Sequence, residues 1–192
     1  CHFDIPLLSN IPNLVYLAPT NKEEYLAMLD WSLEYKEHPV AIREPFGITT
    51  PAKRPVVTDY SELNRYELVK KGKDVAIIAA GNFFALGEAT CDMLKAKNME
   101  ATLINPRFIS GIDTELMEKL KADHRIVVTL EDGALSGGFG EKIARYFGNS
   151  DMKVLCYGAR KEFVDRYNLA DFLASNRLRE DLITEDILSL CK

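Results

Sequence analysis

The sequence predicts an α/β fold of three layers (αβα) around a mostly parallel sheet, preceded by a shorter strand–helix–strand segment. Three observations predict it. Short, wholly apolar runs such as Val75-Ala76-Ile77-Ile78-Ala79-Ala80 have the length and continuity of strands covered on both faces. They alternate with stretches of helical period, the pattern of parallel strands joined by helical crossovers. Pro45, Gly47, Pro51 and Pro55 crowd one region, where fixed φ and missing N–H donors favour an extended connection between two units.

Taken in order, residues 13–18 form an apolar strand ended by Pro19. Thr20 and Glu23 are spaced as a capping box for the helix that follows over 20–36. Its apolar residues Tyr25, Leu26, Met28, Leu29, Trp31 and Leu33 read as a one-sided stripe. Residues 38–43 return as a second strand, and two such strands need further neighbours to be stable. Beyond the proline-rich stretch come strands at 66–69, 74–79, 101–104, 125–130 and 153–157. Between them, Gly81 opens a helix with Phe84, Leu86, Ala89, Met93 and Leu94 inward, Asp113 caps a helix through Leu120, and Gly137-Gly138-Phe139-Gly140 leads into a helix ending near Gly148. Thr184 starts a terminal helix. The domain reading is therefore 1–45, a linker at 46–65, and 66–192.

Composition excludes several classes. The chain has 192 residues, 47% apolar and 28% charged, with a formal net charge of -5, so neither disorder nor a nucleic-acid footprint is expected. No run is long enough for a membrane span and no secretory signal is visible, which points to a cytoplasmic protein. Cys1, Cys91, Cys156 and Cys191 lack metal-ligand spacing and read as reduced thiols, so no metal site is expected.

Few motifs carry chemistry. The Gly137–Gly140 loop sits between a strand and a helix, where backbone N–H groups can cradle an anion. It matches no nucleotide fingerprint, and a tight turn needing glycine explains it as well. Glu131-Asp132 ends a strand at the carboxyl edge of the sheet, but adjacent residues on an extended chain point to opposite sides, so they do not read as an acid–base pair. His2, His38 and His124 show no triad spacing; the last two read as boundary positions. Arg43 ends a strand beside the linker. Its planar fork suits a substrate phosphate or a neighbouring carboxylate, and the local chemistry leaves both open.

Several phrases together resemble a known family. Phe3-Asp4-Ile5, Ile11-Pro12-Asn13-Leu14, Ala18-Pro19-Thr20 with Glu23-Glu24, and Pro39-Val40-Ala41-Ile42-Arg43 resemble the end of the pyrimidine-binding domain in the 1-deoxy-D-xylulose-5-phosphate synthase family, enzymes of the transketolase type. Gly72 to Ile78 with Gly81, Asn105-Pro106-Arg107-Phe108-Ile109 with Ile112-Asp113, and Val128 through Gly140 resemble its transketolase C-terminal domain. The resemblance runs in order along nearly the whole chain and is weakest after Tyr157.

The resemblance implies a thiamine diphosphate enzyme with Mg²⁺ that joins pyruvate to glyceraldehyde 3-phosphate with loss of CO2, for isoprenoid precursor synthesis. In such enzymes the cofactor is the electron sink and the protein supplies position and electrostatics. It implies that residues 1–45 are the tail of the pyrimidine-binding domain and 66–192 the C-terminal domain. It also implies that the metal and diphosphate motif, the activating glutamate and the active-site histidine lie upstream, His2 not being that histidine. The expectations are thus no catalytic, cofactor or metal residues in this chain, an inactive fragment with nothing bound, and a homodimeric parent completed by its missing domains. Arg43 is the one candidate substrate-binding residue. Phe46 stands where the family pattern has a second arginine, and loss of a desolvated phosphate contact costs about 2–5 kcal/mol. A beta subunit of a 2-oxoacid dehydrogenase and a non-catalytic dimerisation module are the alternative readings.

Overall fold

The computed structural model describes residues 2–44 and 50–192. Cys1 and the stretch holding Pro45, Phe46 and Gly47 lie outside the described residues, and with them the substitution of phenylalanine for the family arginine.

The first unit runs α1 (Asp4–Leu8), β1 (Val15–Leu17), α2 (Lys22–Glu34) and β2 (Val40–Ile42). Residues 50–66 then form an extended segment without helix or strand, followed by β3 (Glu67–Lys70), β4 (Asp74–Ala79), a 3₁₀ turn (Gly81–Phe83), α3 (Phe84–Lys95), β5 (Thr102–Asn105), α4 (Thr114–Leu120), β6 (His124–Ala134), α5 (Phe139–Phe147), β7 (Lys153–Ala159), α6 (Leu169–Ser175) and α7 (Glu180–Leu190). The second unit is a five-stranded sheet ordered β3-β5-β4-β6-β7, parallel except for β3, while β1 and β2 pair in parallel by themselves.

Strand β4 shows why its apolar run is unbroken. Val75, Ile77 and Ala79 face one layer with Leu94 of α3 and Ile183 and Ile187 of α7. Ala76, Ile78 and Ala80 face the other with Met117 of α4 and Ile143 and Phe147 of α5. Period-two alternation on a strand covered twice demands apolar residues at every position. The crossover from β4 to β5 uses the first layer, and those to β6 and β7 use the second, as right-handed connections in opposite directions require. The sheet's switch point therefore falls between β4 and β6.

Four local expectations are corrected. The cap of α2 is Asn21, whose side chain accepts from the Glu24 N–H, not Thr20. Glu24 reaches back to the Thr20 N–H at 2.8 Å, so the reciprocal logic holds one residue later. The stripe on α2 is not one-sided: Met28 is buried, but Leu26, Leu29 and Leu33 face out. On α3 the inward set is Phe84, Gly87, Thr90, Cys91 and Leu94, while Met93 is exposed. Gly87 lets the helix approach β4, since a Cβ there would lie 2.7 Å from that of Ala79. The last helix starts at Glu180, with Glu180 and Asp181 in its first turn where the helix dipole favours acids, and Thr184 is buried inside it. The short helices α1 and α6 have no counterpart in the sequence reading.

The two units share a core. Ile5, Tyr16 and Ala18 join the α4–α5 layer. Backbone bonds Ala18 N–H to Arg107 O and Ile109 N–H to Tyr16 O, both 2.7 Å, stitch β1 to the chain after β5. Tyr60, from the extended segment, fills a third cluster with Val15, Leu17, Met28 and Phe108.

Candidate functional site

Open α/β sheets collect functional groups beyond the carboxyl ends of their strands, at the switch point. A cleft of about 530 Å³ opens there in this chain, lined by Asn82 and Phe83 after β4, Glu131 and Asp132 of β6, and Ala159 at the end of β7. The first unit closes it with His2, Arg43 and Glu44, and α6 contributes Phe172.

Arg43 lies at the centre of the polar end. Its Nε donates to Asp4 Oδ2 at 2.6 Å and its Nη2 to Asp4 Oδ1 at 3.1 Å. Its Nη1 meets Asp132 Oδ1. Of the two openings the sequence left to Arg43, the carboxylate is therefore the one filled, twice over. Burial would lower the guanidinium pKa, but the two carboxylates outweigh it and raise it. Burial likewise works to raise Asp4, and hydrogen bonds from Arg43 and Tyr16 reverse that and hold it low. Tyr16 Oη donates to Asp4 Oδ2 at 2.5 Å. The result ties α1, β1 and the end of β2 to β6 across the junction.

Glu131 and Asp132 do not end β6 but lie within it, at an irregularity between Leu130 and Ala134. They diverge as adjacent strand residues must. Asp132 takes Arg43, and Asn82 Nδ2 at 3.3 Å. Glu131 is fully buried: Oε1 accepts the Phe139 N–H at 2.9 Å and Oε2 the Gly140 N–H at 2.6 Å. The glycine-rich loop is thus both a turn, with Gly137 at φ +72, and an anion cradle whose anion is the protein's own. Gly138 has to be glycine because a Cβ would strike the Glu131 carboxylate. Burial pushes the Glu131 pKa up to about 7, against the pull of the two backbone donors.

A second polar cluster sits at the other side of the junction. Glu24 is buried and accepts from Asn105 Nδ2 at 3.1 Å. Asn105 also reaches Glu67 Oε1 at 3.3 Å, which Arg54 Nη2 holds at 2.7 Å, while Arg107 Nη2 lies 3.3 Å from Glu67 Oε2. Burial raises the pKa of Glu24, with the neighbouring Glu67 adding to it against the Thr20 N–H. These residues join α2, the extended segment and the β3–β5 edge, and they meet the cleft through Thr20, which lines it and donates its N–H to Glu24.

The histidines part company. His2 packs its ring on Tyr167 and Phe172, with centroids 6.2 and 5.4 Å away, at the cleft. His38 stands beside Tyr35. His124, expected at a boundary, is buried, with Nε2 2.7 Å from Thr102 Oγ1 and Nδ1 2.6 Å from Asp123 Oδ1. That chain of three has the order of a catalytic triad, but it lies at the amino ends of the strands. Thr102 is 1% exposed, and its hydroxyl already accepts the Gly72 N–H. It fastens strand starts.

A diphosphate with its metal does not fit the described residues. The one glycine-rich helix start is filled by Glu131, and the cleft's acids outnumber its single arginine. No group of three or more His, Cys, Asp or Glu side chains is arranged to hold a metal ion among the described residues. Cys91, Cys156 and Cys191 are free thiols, and burial pushes Cys91 up to about 12. Among the described residues no helix is long and apolar enough to cross a membrane.

Sequence reasoning singled out Arg43, Glu131, Asp132 and the glycine loop, and the structure gathers all of them at this junction. It missed Asp4 and the aromatic residues Tyr167 and Phe172. The charge of Asp4, one residue after Phe3, was visible, but its partner lies 39 residues away.

Comparison with known proteins places these features. The family model described as transketolase, C-terminal domain, matches residues 64–177. The 1-deoxy-D-xylulose-5-phosphate synthase of Clostridium tetani is 31% identical over 190 residues, 98% of this chain and 30% of that protein. Its counterpart in Heliobacterium modesticaldum is 37% identical over 141 residues, 73% of this chain and 22% of that protein. The chain therefore spans less than a third of these relatives. Among solved structures, a split-gene transketolase described as an inactive beta4 tetramer superposes with a TM-score of 0.78 at 22% identity, covering 98% of this chain and 61% of that one. A Pichia stipitis transketolase mutant gives 0.74 at 12% identity, over 98% of this chain and 27% of that one. Both share the fold.

Proposed function

Because the chain belongs to the transketolase C-terminal domain family, we propose that it is the C-terminal part of a transferase of 1-deoxy-D-xylulose-5-phosphate synthase type. The parent joins pyruvate to glyceraldehyde 3-phosphate with loss of CO2, using thiamine diphosphate and Mg²⁺ held by domains upstream. In this reading residues 1–45 are the tail of the pyrimidine-binding domain, 46–65 the linker and 66–192 the C-terminal domain. The chain's task is support: a finished sheet domain that clamps the tail in place. The assembly is a homodimer and the compartment the cytoplasm.

The observation that carries this reading is the in-order match to synthases along nearly the entire chain, across both units. Arg43 is the candidate for an acceptor phosphate only in the complete parent, where upstream domains would have to draw it from Asp4 or Asp132; in this chain its guanidinium is taken and phosphate has no site. Its present bonds make it a positioning group for the junction.

Two measurements test the reading. Calorimetric titration of the chain with thiamine diphosphate and Mg²⁺ is expected to show no specific heat; saturable micromolar binding overturns the support role. The full-length parent is expected to form the phosphorylated deoxypentulose from pyruvate and glyceraldehyde 3-phosphate. Acyl transfer to a lipoyl carrier instead overturns the synthase assignment.

A further inference from the structure

The cleft at the switch point has a charge and a lining that the support role does not need. Among the described residues its polar end carries Glu44 and Asp132 against one cation, Arg43, whose charge is already opposed by Asp4 and Asp132, while Glu131 is spent on its two backbone donors. Asp132 keeps about a fifth of its side chain exposed, and its Oδ2 has only the long 3.3 Å contact to Asn82. That leaves a carboxylate oxygen with acceptor capacity facing an open space.

Aromatic side chains line the same cleft. Tyr167 and Phe172 sit with ring centroids 4.8 Å apart and His2 against both. Tyr167 remains 45% exposed, and its hydroxyl has no partner among the described residues. Aromatic rings and carboxylates lining one cleft are the two features that attract an organic cation, through ring quadrupole and through charge. The same arrangement repels phosphates and carboxylates. Apolar groups at Ala159, Leu173 and Leu178 complete the floor, and the volume suits a small ligand.

We propose that this cleft is a binding site for a small ammonium compound with an aromatic or apolar body. The ammonium sits at Asp132 and Glu44, and the body packs on Tyr167 and Phe172. The inference is independent of the synthase reading, since it rests on lining and charge alone.

The test uses the 192-residue chain and three probes: phenethylammonium, the similarly shaped anion 3-phenylpropanoate, and inorganic phosphate. Binding is followed by amide chemical shifts. Phenethylammonium is expected to give saturable shifts at Asn82, Asp132 and Tyr167, and neither anion should. Asp132→Asn is expected to weaken it about tenfold, as loss of a charged acceptor does. Tyr167→Ala is expected to weaken it about threefold through the lost ring face. The second variant removes a half-exposed side chain, so it keeps the test decisive if Asp132→Asn disturbs the Arg43 pair and the fold. The proposal is overturned if phenethylammonium gives no saturable shifts, if an anion binds as well or better, or if the folded variants bind it as the wild type does.

Discussion

Residues 66–192 build a mostly parallel sheet and residues 2–44 a parallel pair, and they cover them by different means. The five-stranded sheet covers both faces mainly with its own helices, α3 and α7 on one side and α4 and α5 on the other, with Ile5, Tyr16 and Ala18 of the first unit added to the second layer. The two-stranded sheet has one helix. Its β1 borrows backbone partners from Arg107 and Ile109, and α2 turns Leu26, Leu29 and Leu33 outward. Two strands rarely suffice alone. The first unit is therefore held by its neighbour, through the shared apolar layer, the Arg43 pairs and the Glu24–Asn105 bond. The outward leucines leave α2 with an apolar face that the larger unit does not cover.

The contrast can be broken most sharply in the cores. Ile77→Ala, at a fully buried position in β4, is expected to lower global stability by about 3–4 kcal/mol. Met28→Ala, equally buried in α2, is expected to open the first unit while moving the global urea transition by less than about 1 kcal/mol. Equal losses from the two would erase the distinction.

Next in size is Glu131. Its folded pKa, about 7, stands above the unfolded value of 4.5. The folded state therefore holds a proton that the unfolded chain has released. Its contribution is complete below about pH 4.5 and disappears as the pH climbs through 7. Glu131→Gln abolishes this titration. The stability of wild type relative to that variant is expected to fall by roughly 3 kcal/mol between pH 4.5 and 7.5. A flat difference across that window would show that burial does not govern this carboxyl.

Arg43→Met cuts the link between units and leaves Asp4 and Asp132 unpaired. An expected cost of about 2 kcal/mol, below that of a fully buried pair because both acids keep some water, should register as faster proteolysis within residues 2–44. The sheet domain should stay resistant. Smallest is Leu29→Lys on the outer face of α2, which should change stability by under about 0.5 kcal/mol. It should reduce self-association in sedimentation if that face meets a second copy.

The two units were not equally legible. The β4 run and the Asp113 cap could be read because each is set by its own few residues: Asp113 accepts from the Leu116 N–H, as its position before an apolar stripe implies. The cap of α2 slipped from Thr20 to Asn21 because both are good caps, and Glu24, not Glu23, is the acid the core buries. Helix α6 escaped notice because it buries no residue fully, so no apolar period marks it. At the site, Arg43 and Asp132 were each recognised, but not as partners. Asp132 lies 89 residues on, and only the fold sets them side by side. Glu131 misled for the opposite reason. It reads only as the end of a strand until the backbone N–H groups it serves have come into place.

The account's central claim is that a self-sufficient sheet domain carries a dependent partner segment. Native-state hydrogen exchange on the intact chain tests it most directly, since it reports opening free energies element by element. Amides of β4 and β6 are expected to exchange only by global unfolding, and those of α2, β1 and β2 through a separate opening of lower free energy. Protection of α2 and β2 equal to that of β4 would contradict the claim.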